Sequence, residues 1–111
     1  MKLPAFLKET PIAHRGLHGG GIPENSLAAF EEAVRCGYAV ETDVRFTRDR
    51  QLVVFHDDTV DRMTDASGEV SAFPLAALSE LRLSGTQERI PLFSECLALI
   101  AGRAPLLLEI K

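Results

Sequence analysis

YAVETDVRFTRDRQLVVFHD, from Tyr38 to Asp57, is the stretch that decides how this chain folds. Tyr38–Thr47 reads as a long strand, rich in β-branched and aromatic residues, and Leu52–His56 as a second one. Only Arg48, Asp49, Arg50 and Gln51 lie between them, too few for a crossover helix, so the two strands form an antiparallel hairpin. With a turn centred near Asp49 and Arg50, Phe46 faces Val53 and Asp43 faces His56.

Outward from the hairpin, strand-like and helix-like pieces alternate. Thr10–His14 (TPIAH) reads as a short buried strand. Asn25–Cys36 reads as a helix, with Leu27, Phe30 and Val34 at helical spacing, Asn25 or Ser26 as its cap and Gly37 as its stop. After the hairpin come a polar loop (57–68), one or two helical turns within Ala76–Leu81, and a helix over Pro91–Ala101. Pro91 opens that helix and Gly102 stops it. Leu106–Lys111 (LLLEIK) reads as a strand. This order implies βαβ units, a parallel sheet and an α/β fold, with the hairpin as an excursion in the second unit. Three parallel strands and two main helices barely cover both faces of such a sheet. The chain also ends inside an apolar strand, so the reading is the first part of a larger barrel.

The composition narrows the class. The length of 111 residues suits one domain. The net charge of −4 and the lack of a basic stripe argue against nucleic acid as partner. No apolar run approaches the roughly 20 residues of a membrane helix. MKLPAFLKETP is too polar for a signal peptide, which favours the cytoplasm. Cys36 and Cys96 make no disulfide framework and read as small buried hydrophobes.

Charge inside strands points to chemistry. Glu41 and Asp43 stand two residues apart and share one face of their strand; Glu109 and Lys111 repeat the spacing. His14 ends the first strand, with Arg15 next. A lone buried carboxylate costs several kcal/mol unless paired, and converging carboxylates raise one another's pKa values. A divalent cation resolves both problems, and oxygen ligands suit Mg²⁺, Ca²⁺ or Mn²⁺. The competing reading is ordinary solvated charge: Glu41 and Asp43 on an outer strand face, Glu109 paired with Lys111. The hairpin tips the balance, because it returns His56 to the level of Glu41 and Asp43, and His14 ends at the same carboxyl end of the sheet. The loop HDDTVDRMTDASGEV lacks the ligand spacing of an EF-hand and reads as solvated. Gly16 serves a sharp turn or a close approach to a ligand. Gly19, Gly20 and Gly21 make either a loop over the mouth or a flexible connector, and His18 is a loop residue.

HRG (14–16), PEN (23–25), ETD (41–43), VVFHD (53–57), SELRL (79–83), IPLFSECLAL (90–99) and LLLEIK (106–111) occur in one ordered set. In order and spacing, over essentially the whole chain, this set resembles the N-terminal part of a glycerophosphodiester phosphodiesterase domain. Ser26 after PEN, where Thr is usual, and Thr42 between the carboxylates, where Leu or Ile is common, are minor departures. The resemblance implies that residues 1–111 are the front of a single distorted TIM-like (β/α)₈ barrel of the phospholipase C-like type. About three barrel strands and a β-hairpin would be present. It implies metal carboxylates at Glu41, Asp43 and Glu109, acid/base histidines at His14 and His56, and phosphate contacts at Arg15 and Lys111. Glu24 falls near the metal or behind its ligands, and Asn25 either beside it or on the helix cap. The implied cofactor is Mg²⁺ or Ca²⁺, with Mn²⁺ an alternative. The implied reaction is hydrolysis of a small glycerophosphodiester to glycerol 3-phosphate and an alcohol, in lipid and glycerol metabolism. A different class also stands: a catalytically incomplete module that pairs with another chain, or with a second copy, through its open sheet edge. A phospholipase-like enzyme on the same scaffold is a third reading.

Overall fold

The computed structural model describes residues 11–111. Thr10, the first residue of the expected first strand, and nearly all of the polar N-terminal stretch lie outside the described residues. Four strands form one sheet: β1 (Ile12–His14), β2 (Ala39–Phe46), β3 (Leu52–Val54) and β4 (Leu106–Ile110). Three α-helices accompany them: α1 (Leu27–Arg35), α2 (Leu75–Leu78) and α3 (Phe93–Ile100), with short 3₁₀ turns at Val70–Ala72 and Leu83–Gly85.

β2 is the hub. Along one of its edges run β1, parallel, and then β3, antiparallel; β4 runs parallel along the other. The three parallel strands and the helices between them make an α/β unit with a partial sheet, consistent with part of a barrel. The outer edges of β1 and β4 have no strand partner among the described residues.

Period-two alternation divides the two faces of β2. Val40 and Val44 point into a core with Ala13, Phe30, Ala33, Val54, Cys96 and Ile100, so this face carries α1 and α3. Burying a side chain such as Phe30 contributes about 1.5–3 kcal/mol. Glu41, Asp43 and Arg45 occupy the opposite phase, away from the helices. That phase division, dictated by sequence, gathers the charge on one face.

The hairpin register is one residue off the expected one. Phe46 pairs with Leu52 and Val44 with Val54, and the Phe55 amide donates to the Asp43 carbonyl at 3.0 Å. Asp43 therefore faces Phe55, not His56. The turn explains the slip. Thr47 accepts from Arg50 and donates to Gln51, leaving the three residues 48–50 as the loop. Arg50 takes a left-handed φ of 60°, the pattern of a type I turn with a bulge rather than a two-residue turn. β3 also ends at Val54, so His56 arrives from an irregular segment.

Three other expectations change. The segment after β3 is solvated only in part: Asp58, Asp61 and Asp65 are exposed, but Val60, Met63 and Val70 join Val53, Phe55, Leu78, Leu83 and Ile90 in a second core, and Thr59 bridges to Glu69. Cys36 is exposed, because it caps α1 beyond its last buried turn; only Cys96 is buried, which pushes its thiol up to about 11. β4 is far more open than its apolar sequence suggests, with Leu108 and Ile110 exposed. No helix among the described residues is long and apolar enough to cross a membrane.

Candidate active site

The site lies where β1 and β4 end beside the middle of β2, and where the loops after β1 and β3 meet. Parallel register aligns His14 with Glu41 and Asp43 with Glu109. Carboxylate oxygens of Glu41, Asp43 and Glu109 thereby come within 4.8 Å of one another. Asp43 is fully buried, Glu41 partly buried and Glu109 exposed. Burial and the charge of Asp43 raise the Glu41 carboxyl above its usual range, against the pull of the Arg15 amide. Lys111, 3.1 Å away, lowers the Glu109 carboxyl, and His56 is close enough to add to that effect.

These residues fit a hard divalent cation. All donors are carboxylate oxygens, and Asp43 Oδ1 is buried without a hydrogen-bond partner among the described residues. An orphaned acceptor beside two more carboxylates is costly as it stands and is satisfied by a cation.

Arg15 is placed by backbone strain. It has a φ of 60°, Gly16 follows at 78°, and the pair reverses the chain after β1. The Arg15 amide donates to Glu41 Oε1 at 3.2 Å, and Nη1 to Glu24 Oε2 at 3.2 Å. Its Nε lies 3.9 Å from Asp43 Oδ2, buried and with no hydrogen-bond partner among the described residues. Gly16 makes the sharp turn and packs against α1: a Cβ there would lie 2.7 Å from that of Ala29. Gly19 and Ile22 exchange backbone hydrogen bonds at 2.8 and 3.1 Å, so the glycine run is a closed tight turn, not a loose connector.

Asn25 is not the helix cap. Ser26 Oγ accepts from the Ala29 amide at 3.1 Å and takes that role. Asn25, at a φ of 54°, instead accepts from Thr42 Oγ1 at 2.8 Å and donates Nδ2 to Asp43 Oδ2 at 3.3 Å. It couples the helix start to the central carboxylate.

His14 is exposed, with Nε2 3.7 Å from Glu41 Oε1. His56 is part-buried, its Nδ1 2.9 Å from Asp57 Oδ1. Lys111 stands on the rim beside Glu109 and donates its amide to the Val44 carbonyl at 3.0 Å.

Two arginines escaped the sequence reading. Arg45 donates Nε and Nη2 to the His56 carbonyl at 3.0 and 2.7 Å. Arg62 grips Glu24 at 2.8 and 3.0 Å and Asp57 at 2.8 and 3.2 Å. Burial works to raise the Glu24 carboxyl, but Arg62, with Arg15, brings it below its usual range. Arg62, aided by His56, lowers that of Asp57 to about 2. Arg45 has a signal in sequence, its phase with Glu41 and Asp43. Arg62 has none, since its segment has no period.

A cavity of about 850 Å³ between Leu27, Leu75, Glu88, Ile90 and Glu95 touches none of these residues. A hollow of about 250 Å³, lined by Arg45, Phe46, Asp58, Glu69 and Lys111 among others, adjoins the rim.

The comparisons with known proteins agree on one relationship. Residues 14–110 match the glycerophosphoryl diester phosphodiesterase family. A glycerophosphodiester phosphodiesterase of Caldanaerobacter subterraneus subsp. tengcongensis is 40% identical over 115 residues, covering 95% of this chain and 46% of that protein. A phosphodiesterase of Oleispira antarctica, solved in complex with the product sn-glycerol-3-phosphate, superposes with a TM-score of 0.84. It is 38% identical and covers 92% of this chain and 44% of its own. A glycerophosphoryl diester phosphodiesterase of Parabacteroides distasonis gives a TM-score of 0.86 at 35% identity, over 92% and 38% of the two chains. The chain thus spans less than half the length of these relatives. The reading as a pairing module of another class gains nothing from these matches. The ordered motifs, their arrangement on the sheet and these similarities converge: the chain belongs to the glycerophosphoryl diester phosphodiesterase family.

Proposed function

We propose that this chain is the front portion of a single (β/α)₈ domain and supplies the cation- and phosphate-handling side of a site that hydrolyses glycerophosphodiesters. The products are glycerol 3-phosphate and an alcohol. The observation that carries the reading is the convergence of Glu41, Asp43 and Glu109 with a buried Asp43 Oδ1 that has no hydrogen-bond partner among the described residues.

Glu41, Asp43 and Glu109 would hold the divalent ion, Mg²⁺, Ca²⁺ or Mn²⁺. When bound, the ion supplies Lewis-acid neutralisation of the phosphate. The chain's own residues do the rest. Arg15 has a buried Nε–H beside the carboxylates that no described residue accepts, and its planar guanidinium suits a phosphate oxygen. Lys111 contributes a point charge at the rim. His14 and His56 divide the two proton transfers: one takes the proton from the attacking water or neighbouring hydroxyl, and the other gives one to the leaving alkoxide. Glu24 holds Arg15, and Asn25 orients Asp43. A soluble small molecule is the substrate, handled in the cytoplasm.

The test is release of glycerol 3-phosphate from glycerophosphocholine, with and without chelator. Activity should vanish with chelator and return with added Mg²⁺, Ca²⁺ or Mn²⁺. His14→Ala and His56→Ala should each lower kcat about 10²–10⁴-fold. Hydrolysis that ignores chelator, or survives both histidine changes, refutes the reading.

A further inference from the structure

We propose that Arg62 is a positioning residue for His56: by clamping Glu24 and Asp57 together it locks the Asp57 carboxylate onto His56 Nδ1, so that Nε2 faces the reaction. The inference rests on the acid/base reading of His56 and goes beyond it by adding a residue outside the ligand and histidine set.

The geometry is specific. Arg62 makes four hydrogen bonds of 2.8–3.2 Å to two carboxylates, one on each side of the site mouth. Glu24 belongs to the loop after β1, and Asp57 follows β3. His56 itself sits beyond the last ladder pair, so no strand register orients its ring. The ring is held instead by Asp57 Oδ1 at 2.9 Å and its backbone by Arg45. Asp57, lowered to about 2, is ionised near neutral pH and can only accept. Nδ1 therefore carries the hydrogen and Nε2 is the free ring atom. Of the two Asp57 oxygens, Oδ2 receives Arg62 Nε alone, while Oδ1 is shared by Arg62 Nη2 and His56. Among the described residues, only the guanidinium fork and the His56 ring itself contact this carboxylate. Arg62 is also half exposed and lies in neither hydrophobic core, so its loss is separable from loss of folding.

The experiment pairs kinetics with nitrogen NMR of the His56 ring. Both measurements use the full polypeptide in which this sequence occurs. In the unsubstituted protein the ring should show the Nδ1–H tautomer. Arg62→Gln should shift it to a mixture, lower kcat about tenfold or more, and leave KM within about twofold. Arg62→Lys, which cannot fork to two carboxylates, should rescue only partly. In an Asp57→Asn background Arg62→Gln should add little, because both act through the same ring. An unchanged tautomer in Arg62→Gln overturns the proposal. So does a raised KM at constant kcat, which would make Arg62 a phosphate contact instead. His56→Ala separates the two failures. If it leaves activity intact, the acid/base reading itself falls. If it abolishes activity while Arg62→Gln changes nothing, only the positioning role falls.

Discussion

Gly16 carries a constraint that no other residue type meets. Its φ is 78°, and a Cβ would lie 2.7 Å from Ala29 Cβ and 2.9 Å from the Ala29 carbonyl carbon. The Leu17 amide also donates to the Ala29 carbonyl at 3.0 Å, so the turn cannot withdraw from α1 without losing that bond. Gly16→Ala should cost about 2–4 kcal/mol, from left-handed strain and overpacking together. Urea denaturation checks it, and a loss under about 1 kcal/mol would mean that the turn yields. Because Arg15 precedes Gly16, the same change moves the guanidinium that faces Asp43.

At the scale of elements, the start of α1 does two jobs with two adjacent residues. Ser26 caps the helix, its Oγ accepting from Ala29 and donating to the Pro23 carbonyl at 2.7 Å. Asn25 reaches back to β2 through Thr42 and Asp43. The two functions should separate. Ser26→Ala should lower stability by about 1 kcal/mol or somewhat more, as for other lost caps. Asn25→Ala should keep the cap but weaken titratable Mg²⁺ or Ca²⁺ binding, since Asp43 loses its guide. Denaturation and calorimetric cation titration of both variants test this, and equal effects on both readouts would refute the division. β2 shows the same economy: its Val40 and Val44 face bears the helices while its Glu41, Asp43 and Arg45 face bears the charge.

At the scale of the molecule, two hydrophobic cores meet at β3, and polar contacts tie their loops across the site mouth. Arg62, Glu24, Asp57 and His56 form that tie. The Asp57 carboxyl is lowered from 3.8 to about 2 by Arg62 and His56. A lowered carboxyl adds stability that is complete above its unfolded value and lost as pH falls through its folded one. Stability should therefore decline between pH 3.8 and about 2, and Asp57→Asn should flatten that slope. Urea midpoints across this range check it, and an unchanged slope in Asp57→Asn would show that the tie contributes nothing. Glu24, also lowered, acts in the same direction.

Local pattern alone determined the alternation of strands and helices, the hairpin, the helix stop at Gly37 and the sharing of one face by Glu41 and Asp43. Each depends on a period of two or 3.6, or on a turn residue, and these act over a few neighbours. Tertiary structure decided what depends on distant partners. The hairpin slipped by one residue because Arg50 adopted a left-handed bulge, a choice that RDRQ does not announce. Ser26 and Asn25 were equal candidates for the cap until Thr42 and Asp43 claimed Asn25. The irregular segment after β3 looked solvated because its buried Val60, Met63 and Val70 follow no period. Arg62 lies 38 residues from Glu24, and only the folded chain brings the two charges together.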